Sequence, residues 1–299
     1  MGIKTKLVAQ GIIEPNGRYS FISTKYTDRS YAGLEENNSF FSSLRSFNDW
    51  PQEKKVIALN LAAVGAIVAI GSVSWDYGSS SFHFHNEGWF DRDTKFGGAD
   101  KLGHAYSAYA LTSFYNSIYK KFGYSDEEAI LGGVLSGWSQ MTLIEVCDGF
   151  SAEQGFSWED EMMNTVGAGM AYLRHRFPPL KEMVDFRLEW LPSPAFRHGD
   201  RSDPFTDYSG QKYLIALKPD GFLKTDSSLL KLMELHFGYY SRGYTAGDEY
   251  YFKSKHRYGY FGIGLNITYL LEQITGHRAG GIFDYFQVPY TYISCPVSM

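Results

Sequence analysis

Residues 99–109, ADKLGHAYSAY, and residues 144–169, IEVCDGFSAEQGFSWEDEMMNTVGAG, decide how this chain is read. In the first stretch Asp100, His104, Ser107 and Leu111 recur at spacings of 4, 3 and 4, and so share one helix face. In the second, Asp160, Asn164, Gly167 and Ala171 repeat that spacing on a helix otherwise lined by Met162, Met163, Val166, Met170 and Leu173. Between them, Glu145 and Asp148 form an i, i+3 pair at the end of an intervening helix.

These stretches belong to a helical block of four predicted helices, 53–74, 100–122, 126–147 and 158–176. Asp100 is placed to cap the second helix. Ser125 with Glu128, and Ser157 with Asp160, have capping-box spacing for the third and fourth. Pro178 and Pro179 end the block, and Gly132, Gly133 and Gly137 suit close helix contact. Short connections make consecutive helices antiparallel neighbours. The start of the second helix, the end of the third and the start of the fourth then fall at one end of a bundle. Asp100, Lys101, His104, Glu145, Asp148, Asp160 and Asn164 are expected to converge there, and the loop carrying His83, His85, Asp91 and Asp93 arrives at the same place.

Carboxylates crowded into an apolar bundle cannot all stay ionised, which sets an acid beside a base. Helix N-termini favour negative charge at Asp100 and Asp160, leaving Glu145, at a C-terminus, as the proton carrier. His104 titrates near neutrality and can pair with any of these. The candidate catalytic set is therefore Asp100, His104, Glu145 and Asp160, with Lys101, Ser107, Asp148, Ser157 and Asn164 as binding groups. Two other readings stay open. The acids can be caps with Glu145 and His104 a structural pair, or His83 and His85 with His104 and the carboxylates can hold a divalent metal. Cys147 has no basic neighbour in sequence to make it a nucleophile.

Residues 56–73, VIALNLAAVGAIVAIGSV, carry no charge. At 1.5 Å per residue they span roughly 27 Å, enough to embed in or cross a thin hydrocarbon layer, or to form a buried core helix. A mean hydropathy of −0.28 disfavours a wholly multi-spanning chain. The opening MGIKTKLVAQG shows no signal-peptide core, and neither Cys147 nor Cys295 stands where a lipid-attachment cysteine would. Twenty-eight Lys and Arg against 33 Asp and Glu give a net charge of −5, which excludes a nucleic-acid binder with a basic stripe. Two cysteines make neither a disulfide framework nor a zinc–thiolate site.

Beyond the helices the period changes to two. A polar, aromatic segment at 1–52 has short alternating pieces at 18–24, and 178–210 reads as a linker rich in Pro, Asp, Ser and Arg. Strands are expected at 211–217, 230–240, 258–269 and 283–293. In 258–269, Phe261, Ile263, Leu265 and Ile267 share one face, and Tyr260, Gly262, Gly264 and Asn266 the other. Outer-membrane strands and ordinary half-buried sheets both read this way. So few strands cannot close a barrel, so the sheet packs on the helices, lies on a membrane, or pairs with another chain or a second copy. The expected fold class is α+β: a membrane-associated four-helix bundle over 53–177, then a small antiparallel sheet over 211–299.

The runs SSFHFHNEGWF and ADKLGHAYSAY within 81–109, and 144–169, resemble the YfiM-like family of predicted periplasmic or outer-membrane lipoproteins, a domain of unknown function. The resemblance extends over YSGQKYLIAL at 208–217, LHFGYYSRGY at 235–244, HRYGYFGIGLNI at 256–267 and YFQVPYTY at 285–292. More distantly the chain is similar to VanZ-like membrane domains. Their Asp-Lys-x-x-His opening is matched by Asp100, Lys101 and His104, and their later acids by Glu145, Ser157, Asp160, Asn164 and Gly167. The Arg that such domains carry between Glu and Ser is missing from 145–157, so an anion-binding role tied to it does not carry over. The resemblance implies an envelope location and brings no activity. The expected function is a buried Asp/His/Glu pocket that binds or acts on a lipid or other envelope component. The alternatives are a structural scaffold of the outer membrane and a metal-dependent hydrolase.

Overall fold

The computed structural model describes the backbone of residues 6–13 and 19–26 and the whole of 47–276 and 281–299. The chain divides into two compact units, residues 1–55 and 56–299. In the first, β1 (Lys6–Ile13) and β2 (Tyr19–Tyr26) pair antiparallel, with Lys6 opposite Tyr26 and Ile13 opposite Tyr19. Residues 19–24 of the weak alternation at 18–24 thus fall in β2. Most of the remaining 1–52 segment lies outside the described residues.

Four long helices follow: α1 (Gln52–Ser74), α2 (Ala99–Phe122), α3 (Asp126–Asp148) and α4 (Trp158–Arg176). Each expected boundary is met to within a residue. The Ser125 side chain accepts from the Glu128 amide and the Glu128 carboxylate returns to Ser125, a full capping box. At α4 only half of the expected box forms. Ser157 caps the Asp160 amide, but the Ser157 amide donates to Glu145 Oε2 at 3.4 Å. At α2 the capping expectation fails. Gly98, at φ 82°, holds the N-cap in the left-handed region, and Asp100 turns inward from the first turn. Glycines let α2, α3 and α4 approach closely. A side chain at Gly133 or Gly137 would meet the backbone of Thr112 or Asn116, and one at Gly167 the Ala105 carbonyl.

The 18 uncharged residues of α1 join this packing along one edge, and only Gly71 among them is buried. Val56 and Leu59 reach the Tyr115–Tyr119 cluster, and Asn60, the one amide in the run, donates to Tyr119 at 2.7 Å and accepts from Gln140 at 3.3 Å. The other face leaves Ile57, Leu61, Val64, Val68 and Ile70 exposed. A buried core helix, one of the two readings of 56–73, is therefore not what forms.

The second half is a five-stranded antiparallel sheet in the order β3 (Val184–Trp190), β4 (Gln211–Leu217), β5 (Met233–Arg242), β6 (His256–Leu265) and β7 (Tyr292–Ser298). Three expectations are corrected. The segment 178–210 contains the edge strand β3. Asn266 caps a helix at Ile267–Thr275, where strand was expected to continue. The last strand begins at Tyr292, after a 3-10 turn at Ile282–Asp284.

Alternation in β6 holds, with the usual inside and outside exchanged. Tyr260, Gly262 and Gly264 are buried, whereas Phe261, Ile263 and Leu265 are exposed. The buried face is polar because ions pair across it. Arg187 makes two contacts with Glu234 at 2.7 and 2.8 Å, Asp185 meets Arg174 and Lys218 at 2.7 Å, and Glu234 meets His236 at 3.2 Å. Unpaired, such groups would be strongly destabilising. The opposite face of β3 and β4 packs Phe186 and Tyr213 on Tyr106 and Tyr109 of α2, which joins sheet to bundle.

Candidate functional site

The polar residues of α2, α3 and α4 meet at one end of the bundle. Lys101, 1 % exposed, sits among three carboxylates: Glu87 at 2.7 Å, and Asp100 and Asp160 at 2.8 Å each. One turn along α2, His104 Nδ1 lies 3.1 Å from Glu145 Oε1 and 3.3 Å from Asn164 Oδ1. Its Nε2 lies 3.9 Å from Asp160 Oδ1. Antiparallel neighbours produce this meeting, because the last turn of α3 and the first turn of α4 flank the first two turns of α2. Ser157 binds Glu145 through its amide, and Asn164 Nδ2 donates to Glu161 at 3.3 Å. Asp148 lies beside the buried Tyr77 hydroxyl.

Burial dominates the electrostatics. It raises Asp100 to about 7, against the opposing pull of Lys101, with Asp160 and Glu87 adding to the rise. Burial likewise raises Asp148 to about 7, against His104. Glu145 is pushed well above the ordinary carboxylate range by burial, with His104 opposing and Asp160 and Asp148 reinforcing. For His104 burial works the other way, but Asp160 and Glu145 outweigh it and lift the imidazole to about 9. At Glu87 burial is overcome by Lys101, which holds the carboxyl down at about 2. Neighbouring charge thus separates two carboxylates that touch the same ammonium. The arrangement can hold a proton between His104 and Glu145, donate from Asp100 or Asp148, and bind a polar group at its edge, where His104 is 17 % exposed.

The sequence-derived set is largely brought together: Asp100, Lys101, His104, Glu145, Asp148, Ser157, Asp160 and Asn164. Ser107, half-buried one turn further along α2, is not among the groups in ion-pair or hydrogen-bond reach. His83 and His85 are also elsewhere. Their backbones pair with Gly149 and Phe156, and the His83 ring faces Ser80 and Ser81, so they supply no ligand to the cluster. Among the described residues, the groups with metal-ligand geometry are His104, Glu145 and Asp160, and Glu87, Asp100 and Asp160. Asp91 and Asp93 are exposed. Burial and Asp148 push the Cys147 thiol up, against a thiolate nucleophile. Glu87 and Tyr77 were missed. Each lies in a loop with no periodic signal, and Glu87 was detectable only as an acid close in sequence to the ADKLGH stretch.

Searches against curated proteins and against solved structures give no match. Residues 86–176 match the family model described as predicted periplasmic lipoprotein (DUF2279), a stretch that holds every cluster residue named above except Tyr77. The match places this chain in the cell envelope, with its acid-rich helical pocket inside the segment shared with that family of predicted periplasmic lipoproteins.

Proposed function

We propose that the chain is a membrane-associated envelope protein that uses its buried Asp/His/Glu pocket to bind or act on a lipid or other envelope component. The observation that carries this reading is the His104–Glu145 pair, 3.1 Å apart and flanked by Asp160 and Asn164, where three helices converge. In it Glu145 and His104 pass a proton, Asp160 and Asp100 orient them, and Lys101 fixes the two aspartates. The resemblance to YfiM-like and VanZ-like sequences supports the envelope location in this reading and brings no activity to it.

Two surfaces support the membrane part. The exposed face of α1 is apolar, and its 23 residues are about 35 Å long, enough to insert in a hydrocarbon layer of about 30 Å. Helix α3 is also long and apolar enough, but it is one-third buried and packs within the bundle, so α1 is the segment assigned to the bilayer. The end carrying the pocket bears an aromatic group, Phe82, Phe84, Phe150, Phe156 and Trp158, with Phe84 stacked on Trp158 at 6.2 Å. Aromatic rings of this kind favour the boundary between headgroups and water.

Complementation tests the pocket. Glu145→Ala and His104→Ala are expected to leave folding and membrane recovery intact while losing the phenotype that the wild-type gene restores to a deletion strain. If both variants complement fully, the pocket has no role. If both unfold, a scaffold reading replaces it. The exposed Phe237, Phe261, Ile263 and Ile293 give that second reading its basis, as a face for an outer membrane, a partner sheet or a second copy.

A further inference from the structure

We infer that His104, Glu145 and Asp160 form a binding site for one divalent transition-metal ion, of which zinc fits the donors best. The assignment rests on the pocket reading above and puts an ion between His104 and Glu145 in place of the proton they would share. One imidazole nitrogen and two carboxylate oxygens, each from a different helix, lie within 4.8 Å of one another. Small side-chain movements would bring all three to the roughly 2.0–2.2 Å that zinc takes with nitrogen and oxygen donors. Three protein ligands leave a fourth position open, the pattern of sites that bind a further small group.

Glu145 Oε1 and Asp160 Oδ1 are buried, on residues 1 % and 3 % exposed, and neither accepts an aligned hydrogen bond: their charged neighbours are His104 Nδ1 at 3.1 Å and Lys101 Nζ at 2.8 Å. A carboxylate oxygen has two lone pairs, so both atoms keep capacity that an ion between the three helices can use.

The neighbouring triad of Glu87, Asp100 and Asp160 has the same spacing but is already filled by the Lys101 ammonium, 2.7–2.8 Å from each. No such built-in ammonium sits between His104 and Glu145, which is where the ion belongs. An imidazole in the set disfavours Mg²⁺ and Ca²⁺, which take oxygen donors. Asn164 on His104 and the Ser157 amide on Glu145 supply the outer hydrogen bonds that hold such ligands in place. The partly open edge of His104 gives the ion its way in.

The test uses the full chain, purified without a metal-binding tag in detergent, stripped with a chelator and dialysed against Zn²⁺. One zinc per chain is expected, with Mg²⁺ failing to displace it. Glu145→Gln and Asp160→Asn should each weaken zinc binding by about tenfold or more, the scale on which metal sites respond to changes in their ligand shells. A His83→Ala/His85→Ala double variant should bind as the wild type does. If the carboxamide variants fail to fold, X-ray absorption of the zinc-loaded wild type decides, with one imidazole among nitrogen and oxygen donors expected. Absence of stoichiometric zinc, a sulfur or second imidazole in that spectrum, or unchanged affinity in folded variants would overturn the assignment. Failure of the ion is distinguishable from failure of the pocket. Zinc that does not bind, beside variants that still lose complementation, removes the ion alone. Zinc that binds, beside variants that complement fully, removes the pocket's role and leaves the ion.

Discussion

Lys101 Nζ and Asp160 Oδ1 lie 2.8 Å apart, an ion pair between the second residue of an Asp-Lys step on α2 and the first turn of α4. Through it one ammonium ties together Asp160, Asp100 and the loop residue Glu87, and the site depends on that tie. The cluster consequently has a structural side as well as a chemical one, and the two can be separated by substitution.

Lys101→Met leaves Glu87, Asp100 and Asp160 facing one another with their cation gone. Breaking a buried ion pair from one side costs about 3–5 kcal/mol. Urea denaturation at pH 7.5 should show a loss of that order. The loss should shrink at acidic pH, where the carboxyls can protonate. An equal loss at every pH would show that packing of the lysine stem, and not its charge, is what matters.

Gly167 and Gly169 stand two residues apart on α4 and should respond oppositely to alanine. A Cβ at Gly167 collides with the Ala105 carbonyl, whereas at Gly169 nothing lies within 4 Å. Overpacking at the first should cost about 1–3 kcal/mol, and removing a helix glycine at the second should gain up to about 1 kcal/mol. Thermal melts of the two variants check both signs.

His175 gives stability a pH dependence of its own. Burial, then Arg174, Lys181 and Lys120, hold its imidazole down at about 4. Asn116 Nδ2 donates to its Nδ1 at 3.1 Å, a bond that requires an unprotonated nitrogen, and Nε2 faces Ser113 Oγ at 3.1 Å. The unfolded chain therefore takes up a proton near pH 6.5 that the folded chain refuses until about 4. Stability from this residue is fully present above about 6.5 and is lost as pH falls toward 4. His175→Gln should flatten that part of the stability profile, and the wild-type imidazole resonance should titrate well below 6.

Leu61→Lys probes α1. The side chain is 65 % exposed, so the folded bundle should tolerate the change. A charge near the middle of an inserted helix costs roughly 2.5–3.5 kcal/mol. Recovery with liposomes in a flotation gradient should fall, while the circular dichroism spectrum stays that of the wild type. Undiminished flotation would mean that α1 does not hold the chain to lipid.

Much of the helical half is legible in the linear chain, for physical reasons that can be named. The apolar period, Ser125 with Glu128, Ser157, and the Pro178–Pro179 stop each act over a few residues, so helix ends show in local text. The i, i+4 spacing of Asp100 with His104, and of Asp160 with Asn164, places side chains on one face whatever the helix packs against. Glycine spacing in α3 likewise anticipates close contact with α2.

Other features depend on partners distant in sequence. Asp100 reads as a cap, yet Gly98 takes that role, because burial beside Lys101 is settled by Glu87 and Asp160 arriving from other segments. Strand β3 reads as linker because Asp185, Arg187 and Glu189 fill one of its faces, and charges suit a strand interior only when Arg174, Glu234 and Lys212 come to meet them. In β6 alternation tells which residues share a face. It is silent on which face water reaches. That choice was made by long-range ion pairing, which satisfies the polar side internally and turns Phe261, Ile263 and Leu265 outward.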